Sequence, residues 1–113
     1  MLSTLKSVCN TKSAIGSFNI VDLNMARAII GAAEELKTPV IIGIATRHWD
    51  TAAARILSPA LIEASETAAI PVVLHLDHAK PKEMDTVWSA LDAGFNSIMI
   101  DGSKLPYSQN VDI

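Results

Sequence analysis

The sequence lacks several features that would assign it to common functional classes. Cysteine occurs once among 113 residues, aromatic residues make up only 4%, and the formal charge is −3, with no basic stripe. This charge balance argues against nucleic-acid binding. Cys9 cannot form an internal disulfide, so a reducing cytoplasm is the expected compartment. We expect its side chain to be a small apolar group, buried or half-buried, rather than a reactive thiol.

Segments that direct a chain to membranes are also missing. The longest apolar run, residues 39–45, is far too short to span a bilayer. Lys6, Asn10 and Lys12 interrupt the first residues, which therefore do not form the apolar core of a signal peptide. We expect no membrane partner.

The sequence does contain alternating strand-like and helical segments. Short apolar runs predict strands at residues 14–20, 40–44, 72–76 and 97–100. Helical periodicity predicts helices at residues 3–12, 23–36 and 81–93, and a further helix that Thr51 or Ser58 opens and that ends near residue 68. Asp22 is placed to cap the helix at 23–36. Trp88 falls on the apolar side of its predicted helix, where we expect it to pack.

The predicted strands are apolar on both faces, which is typical of a parallel sheet covered by helices. We therefore predict an α/β fold in which residues 1–113 form a single partial domain. Four strand–helix units fit either a small open sheet or half of a (β/α)8 barrel, since a whole barrel needs about 250 residues. A flavodoxin-like binding domain is a weaker alternative, because no glycine-rich turn follows the first strand. A sequential strand order would indicate the half barrel, and a reordered sheet the alternative.

Polar residues follow the predicted strands, at the ends where ligands bind in parallel α/β folds. The third strand carries the strongest signal, because His75, Asp77 and His78 follow an apolar run directly. Imidazoles there can bind a metal, and a carboxylate can move a proton. The alternative is that Asp77 caps the next helix and His78 is a solvated loop residue. Strand alternation places His75 and Asp77 on one face and His78 on the other, unless the chain is already turning.

The other strand ends are more ambiguous. Asp101 is either a carboxylate at the sheet edge or a turn former ahead of a glycine. Asn19 either lines a binding site or only hydrogen-bonds the backbone of its own turn. Arg47 and His48 are interpreted as a solvated loop anchored by Trp49.

Four motifs, in order and at matching spacing, resemble those of the class II, metal-dependent ketose-bisphosphate aldolases. They are Ala-Ile-Gly-Ser-Phe-Asn-Ile at 14–20, Pro-Val-Ile-Ile at 39–42, Pro-Val-Val-Leu-His-Leu-Asp-His at 71–78, and Met-Ile-Asp-Gly-Ser with Leu-Pro at 99–106. The resemblance covers essentially the whole chain and is nearest to the fructose- and tagatose-bisphosphate aldolases.

This resemblance implies the N-terminal half of a TIM barrel and a divalent metal cofactor, usually zinc. The implied reaction is reversible cleavage of a phosphorylated ketose, fructose or tagatose 1,6-bisphosphate, to dihydroxyacetone phosphate and glyceraldehyde 3-phosphate. Asp77 matches the catalytic carboxylate that exchanges a proton with the C4 hydroxyl. His78 matches a metal ligand, and Asp101 a carboxylate at a second or alternative metal position. Asn19 matches a substrate-binding residue, and His75 is expected to hydrogen-bond groups around the site without binding the metal.

Two substitutions and one absence depart from the family pattern. Ala45 stands where the family usually has Ser or Thr, with Thr46 one place later, and Lys104 replaces a histidine. The family's remaining metal ligands and phosphate loops come from later strands. We therefore expect this chain to be inactive alone. The alternative function is a non-catalytic aldolase remnant that serves as an assembly or interaction module.

Half a barrel has open edges at its first and fourth strands. We expect the chain to be marginally folded, or to form homo-oligomers by self-association through these edges. The apolar residues expected to be partly uncovered are Val40, Ile42, Val73, Ile98 and Ile100.

Overall fold

The computed structural model describes residues 1–9 and 13–113, and strands and helices alternate along it. The strands are β1 (Gly16–Asn19), β2 (Val40–Ala45), β3 (Val72–Ala79) and β4 (Ser97–Ile100). The helices are α1 (Leu5–Val8), α2 (Leu23–Leu36), α3 (Thr46–Trp49), α4 (Ala52–Thr67), α5 (Met84–Asp92) and α6 (Tyr107–Val111).

The sheet has the strand order β1-β2-β3-β4, and every pairing is parallel. This sequential order is the one expected of a half barrel, and it excludes the reordered sheet of the flavodoxin-like alternative. The register places Asn19 beside Gly43, Gly43 beside His75, and His75 beside Ser97. The fold prediction is therefore confirmed: the chain forms four consecutive strand–helix units, half of a TIM barrel.

Helix α2 begins and ends where the sequence predicts. The Asp22 side chain accepts a hydrogen bond from the Met25 N–H at 2.8 Å, which satisfies one of the free amides of the first turn. Its buried face is supplied by Ala26, Ile30 and Ala33. The helix ends at Lys37, whose φ of 52° lies in the left-handed region usually taken by glycine.

The other elements differ from the predictions mainly at their ends. Thr51, and not Ser58, caps α4, and the Ser58 hydroxyl instead donates to the Ala54 carbonyl within the helix. Helix α5 begins at Met84, three residues after the predicted start, because residues 81–83 form a turn. Strand β3 extends to Ala79, beyond the predicted end at residue 76. Part of the predicted first helix, residues 10–12, lies outside the described residues.

The main core lies between the sheet and the helices. Val40 and Ile42 belong to it, because alternation along β2 turns them toward α2. The expectation that Val40, Ile42 and Val73 are partly uncovered is therefore wrong, since all three are buried. It is correct for the fourth strand, where Ile98 is half-buried and Ile100 is exposed.

Two further side chains are more exposed than predicted. Trp88 is 59% exposed, so it does not pack into the core as its helical position suggested. Cys9 is exposed and not buried. Within the described ranges, no helix is both long and apolar enough to cross a membrane.

Candidate active site

The polar residues predicted at the strand ends do meet at one edge of the sheet. Asn19 is the last residue of β1, Asp77 and His78 lie near the end of β3, and Asp101 directly follows β4. The side chains of Asn19 and Asp77 are hydrogen-bonded, as are those of His78 and Asp101. Sequence analysis therefore located this cluster correctly, although the role of each residue stays a prediction.

Asp77 is held by groups from two strands, β1 and β3, and from helix α3. The Asn19 Nδ2 donates to Asp77 Oδ2 at 2.6 Å, and the His75 Nε2 lies 3.7 Å from Asp77 Oδ1. The Thr46 hydroxyl donates to the Asp77 backbone carbonyl at 2.7 Å, which fixes the strand at this point. The Asp77 side chain is only 17% exposed. The alternative in which Asp77 caps the next helix is excluded, because Glu83 occupies the N-cap position of α5.

His78 reaches the same side of the sheet as Asp77 through a local distortion of β3. Its φ is 60°, in the left-handed region, and the pairing of β3 with β4 shifts register between Leu76 and Ala79. A bulge of this kind changes the direction of a side chain that strand alternation would send to the opposite face. As a result, the His78 Nε2 lies 3.6 Å from Asp77 Oδ2. The chain is therefore already turning at His78.

The two carboxylate oxygens of Asp101 serve two purposes. Oδ1 accepts a hydrogen bond from the Ser103 N–H at 2.9 Å, which closes the turn after β4. Oδ2 lies 2.8 Å from the His78 Nδ1. Hydrogen bonds from Ser103 and His78 lower the pKa of Asp101 to about 2. Asp101 is therefore both a turn former and a carboxylate at the sheet edge.

The state of the His78 ring follows from this contact. An ionised carboxylate only accepts hydrogen bonds, so the His78 Nδ1 must carry a proton. The neutral ring then presents a lone pair at Nε2. The hydrogen bond to Asp101, with the nearby Asp77 charge, raises the pKa of His78 above its ordinary value. The side chain is 59% exposed and accessible from solvent.

His75 has the opposite electrostatic character. Burial lowers the pKa of His75, although the nearby Asp77 carboxylate opposes this effect. Its Nδ1 is 2.7 Å from the Ser97 hydroxyl on β4. The ring thus connects β4 to Asp77, which suits the predicted supporting role.

The cluster lies in a cleft of about 810 Å³. Cationic side chains also line this cleft: Arg47, Lys80, Lys82 and Lys104. Arg47 hydrogen-bonds the His48 ring at 3.0 Å, and Lys80 pairs with Glu83 at 3.2 Å. Sequence analysis missed these cations and the role of Thr46. Arg47 was assigned to a solvated loop, but it belongs to α3, which Trp49 anchors by packing edge-to-face on Phe95.

The described residues fit part of a metal site. His78 offers a free Nε2, and its Nδ1 is held by a carboxylate, the usual arrangement for a metal-binding histidine. A catalytic zinc site normally takes three protein ligands. Within residues 1–9 and 13–113, no group of three His, Cys, Asp or Glu side chains is arranged to hold a metal ion. The place of Asp101 at a second metal position stays a prediction.

Comparison with known proteins defines the family. A sequence model of class II fructose-bisphosphate aldolases matches residues 1–113. The chain belongs to the class II fructose-bisphosphate aldolase family. The family membership predicted from the four motifs is therefore confirmed.

Individual aldolases align over most of the chain. It is 45% identical over 104 residues to the 6-phospho-5-dehydro-2-deoxy-D-gluconate aldolase of Bacillus licheniformis, an alignment of 87% of this chain with 34% of that protein. It is 36% identical over 116 residues to the fructose-bisphosphate aldolase of Geobacillus stearothermophilus, covering 100% of this chain and 40% of that protein. The solved YdjI aldolase of Escherichia coli K12 superposes with a TM-score of 0.82 at 29% identity, covering 99% of this chain and 43% of that one. The chain thus spans 34% to 43% of the length of these aldolases.

Proposed function

We propose that the chain supplies the proton-transferring carboxylate and one metal-binding histidine of a class II ketose-bisphosphate aldolase. The reaction is the reversible cleavage of fructose or tagatose 1,6-bisphosphate to dihydroxyacetone phosphate and glyceraldehyde 3-phosphate. The observation that carries the proposal is the position of Asp77, which is oriented by Asn19 and lines the cleft.

Asp77 is assigned the proton transfer. In cleavage, an Asp77 oxygen takes the proton of the substrate C4 hydroxyl, the C3–C4 bond breaks, and C4 becomes the aldehyde carbon. The electron pair of that bond passes to the ketose fragment that retains C3. Since Asn19 and Thr46 fix the side chain and the backbone of Asp77, the carboxylate need not reorganise before it accepts the proton. The second function of Asn19 is to contact the substrate.

His78 and Asp101 are assigned to the metal. His78 Nε2 is the ligand, and Asp101 either orients the ring or holds a second or alternative metal position. When bound, a divalent ion such as zinc supplies Lewis-acid polarisation of the substrate ketone. The family's other ligands belong to later strands, so we propose that the chain is inactive alone.

The cleft cations support an anionic substrate. Arg47 follows the end of β2 and Lys104 follows the end of β4, and both line the cleft, where they are placed to contact a phosphorylated group. The two curated relatives are named for different phosphorylated substrates, fructose bisphosphate and 6-phospho-5-dehydro-2-deoxy-D-gluconate. The second compound is a carboxylate, and we include it among the substrates to be assayed.

A chimera tests the proposal directly. The aligned 40% of the Geobacillus stearothermophilus aldolase is replaced by this chain, and cleavage of each of the three substrates is assayed with zinc. Asp77→Asn should lower kcat by a factor of about 10²–10⁴, the usual contribution of general acid–base catalysis. Asp92→Asn, an exposed carboxylate on α5, is the matched control and should leave kcat unchanged.

The same assay on the 113-residue chain alone addresses the alternative function. Turnover that Asp77→Ala abolishes would eliminate the non-catalytic remnant. An inactive, correctly folded chimera would favour that remnant, acting as an assembly or interaction module. We also propose a cytoplasmic location, on the basis of the single cysteine.

A further inference from the structure

The hydrogen bond between Asn19 and Asp77 crosses an intervening strand. Asn19 belongs to β1 and Asp77 to β3, and β2 lies between them in the sheet. Adjacent strands are about 4.8 Å apart, so the two backbones are separated by roughly 10 Å. Nevertheless, Asn19 Nδ2 and Asp77 Oδ2 are 2.6 Å apart. The Asn19 carboxamide must therefore lie across the face of β2.

The residue of β2 beneath the carboxamide is Gly43, which is in register with Asn19. A Cβ added at Gly43 would overlap the Asn19 Oδ1. The nearest other group that it would meet, the His75 carbonyl oxygen, is at 3.6 Å, which is ordinary van der Waals contact. Among the residues that the structure describes, the Asn19 side chain is thus the one severe obstacle to a side chain at this position.

Conformation does not explain the glycine. Gly94 has a positive φ, whereas Gly43 does not, and β2 pairs regularly with both neighbours around it. An L-residue could adopt the backbone of Gly43 without strain. Position 43 requires a residue without a side chain, because the Asn19 carboxamide occupies the space that a methyl group would fill.

We propose that Gly43 is a positioning residue: its missing side chain creates the passage through which Asn19 reaches and orients Asp77. Gly43 itself touches no reacting atom. With alanine there, the carboxamide is displaced, because it is the flexible end of a side chain, and Asp77 loses its donor. The effect on catalysis rests on the proposed function, but the geometric effect does not.

The test uses the full chain and the variants Gly43→Ala, Asn19→Ala and the double variant. Gly31→Ala is the matched control, since a Cβ at Gly31 on α2 meets no atom of the described residues within 4 Å. In Gly43→Ala, NMR should show loss of the NOEs between the Asn19 side-chain amide and the Asp77 methylene protons. Gly31→Ala should retain them. Retention in Gly43→Ala, with unchanged amide shifts, would overturn the proposal.

Thermal unfolding keeps the proposal testable if Gly43→Ala folds poorly. Because the obstacle is the Asn19 side chain, adding Asn19→Ala should remove the penalty, and the double variant should melt at the temperature of Asn19→Ala alone. A double variant that remains as unstable as Gly43→Ala would place the penalty in the backbone and refute a positioning role.

In the active chimera, Gly43→Ala should lower kcat and add nothing to the loss caused by Asn19→Ala. Absence of activity in the parent chimera would count against the aldolase function and leave the NMR result standing.

Discussion

Replacing His78 by glycine and by alanine separates the backbone strain at this residue from the chemistry of its side chain. Both substitutions remove the imidazole and its hydrogen bond to Asp101, so the two variants differ only by one methyl group. At an ordinary strand or helix position, alanine is the more stable residue. At His78, with φ at 60°, the order should be reversed.

The magnitude follows from two opposing terms. A non-glycine residue in the left-handed region carries a penalty of about 1–2 kcal/mol, which glycine avoids. Glycine loses more chain entropy on folding, which offsets roughly 0.5–1 kcal/mol of that gain. His78→Gly should therefore be more stable than His78→Ala by about 0.8 kcal/mol, the difference between the midpoints of the two ranges. For a chain of this size, that corresponds to a melting temperature higher by roughly 2–5 °C.

The assay is thermal and urea unfolding followed by circular dichroism, with two control pairs. Lys37, with φ at 52° at the end of α2, should show the same order, glycine above alanine. Arg27, exposed in the middle of α2, should show the reverse order, with glycine lower by about 1 kcal/mol. If alanine were the more stable residue at position 78 while both controls behaved as expected, the strained conformation at His78 would be refuted.

Three further predictions concern charge, metal and association. In metal-free NMR titrations, the pKa of His78 should lie above 6.5 and that of His75 below it. The substitution Asp101→Asn should lower the His78 pKa, and an unchanged His78 pKa in this variant would refute the contact with Asp101. Because the His78 pKa is raised, the contribution of His78 to stability is complete below pH 6.5 and is lost as the pH rises through the raised value. The pKa of Asp101 is lowered, so the contribution of Asp101 is complete above pH 3.8 and is lost as the pH falls through about 2. Calorimetry should show weak zinc binding by the chain, and tight one-to-one binding abolished by His78→Ala would contradict the expected lack of ligands. Sedimentation should show self-association through the open edges of β1 and β4. The substitutions Phe18→Lys and Ile100→Lys, at exposed positions of these strands, should reduce the self-association. A stable monomer at micromolar concentration with a sharp unfolding transition would disprove this prediction.

The sequence was sufficient to predict the elements that local chemistry determines. Helix α2 has a capping aspartate and a regular apolar face, and both of its ends were predicted correctly. The sequential strand order was implied only by the resemblance of the four motifs to the class II aldolases, because the alternation of strands and helices also fits a reordered open sheet. Helices α3 and α6 were missed because four or five residues are too few to show a helical period.

Tertiary packing decided what the local pattern could not. Trp88 lies on a helical apolar stripe, but that stripe faces away from the described core, and no local signal reveals this. Strand β3 continues past residue 76 because β2 and β4 both pair with its last residues, Asp77 and Ala79. The cations of the cleft come from separate segments, and their convergence depends on the fold.

His78 shows why the site could be located from the sequence while its geometry could not. The period of two places His78 on the face opposite Asp77, and that rule holds for a regular strand. The bulge in β3 breaks the rule, and it does so at the residue assigned to the metal. Backbone strain of this kind persists only where the surroundings enforce it, and here the Asp101 contact and the pairing of Ala79 with Ile100 hold the turn on both sides. Local preference thus yields at a residue whose side chain lines the same cleft as the Asp77 carboxylate, which agrees with the metal-binding role proposed for His78.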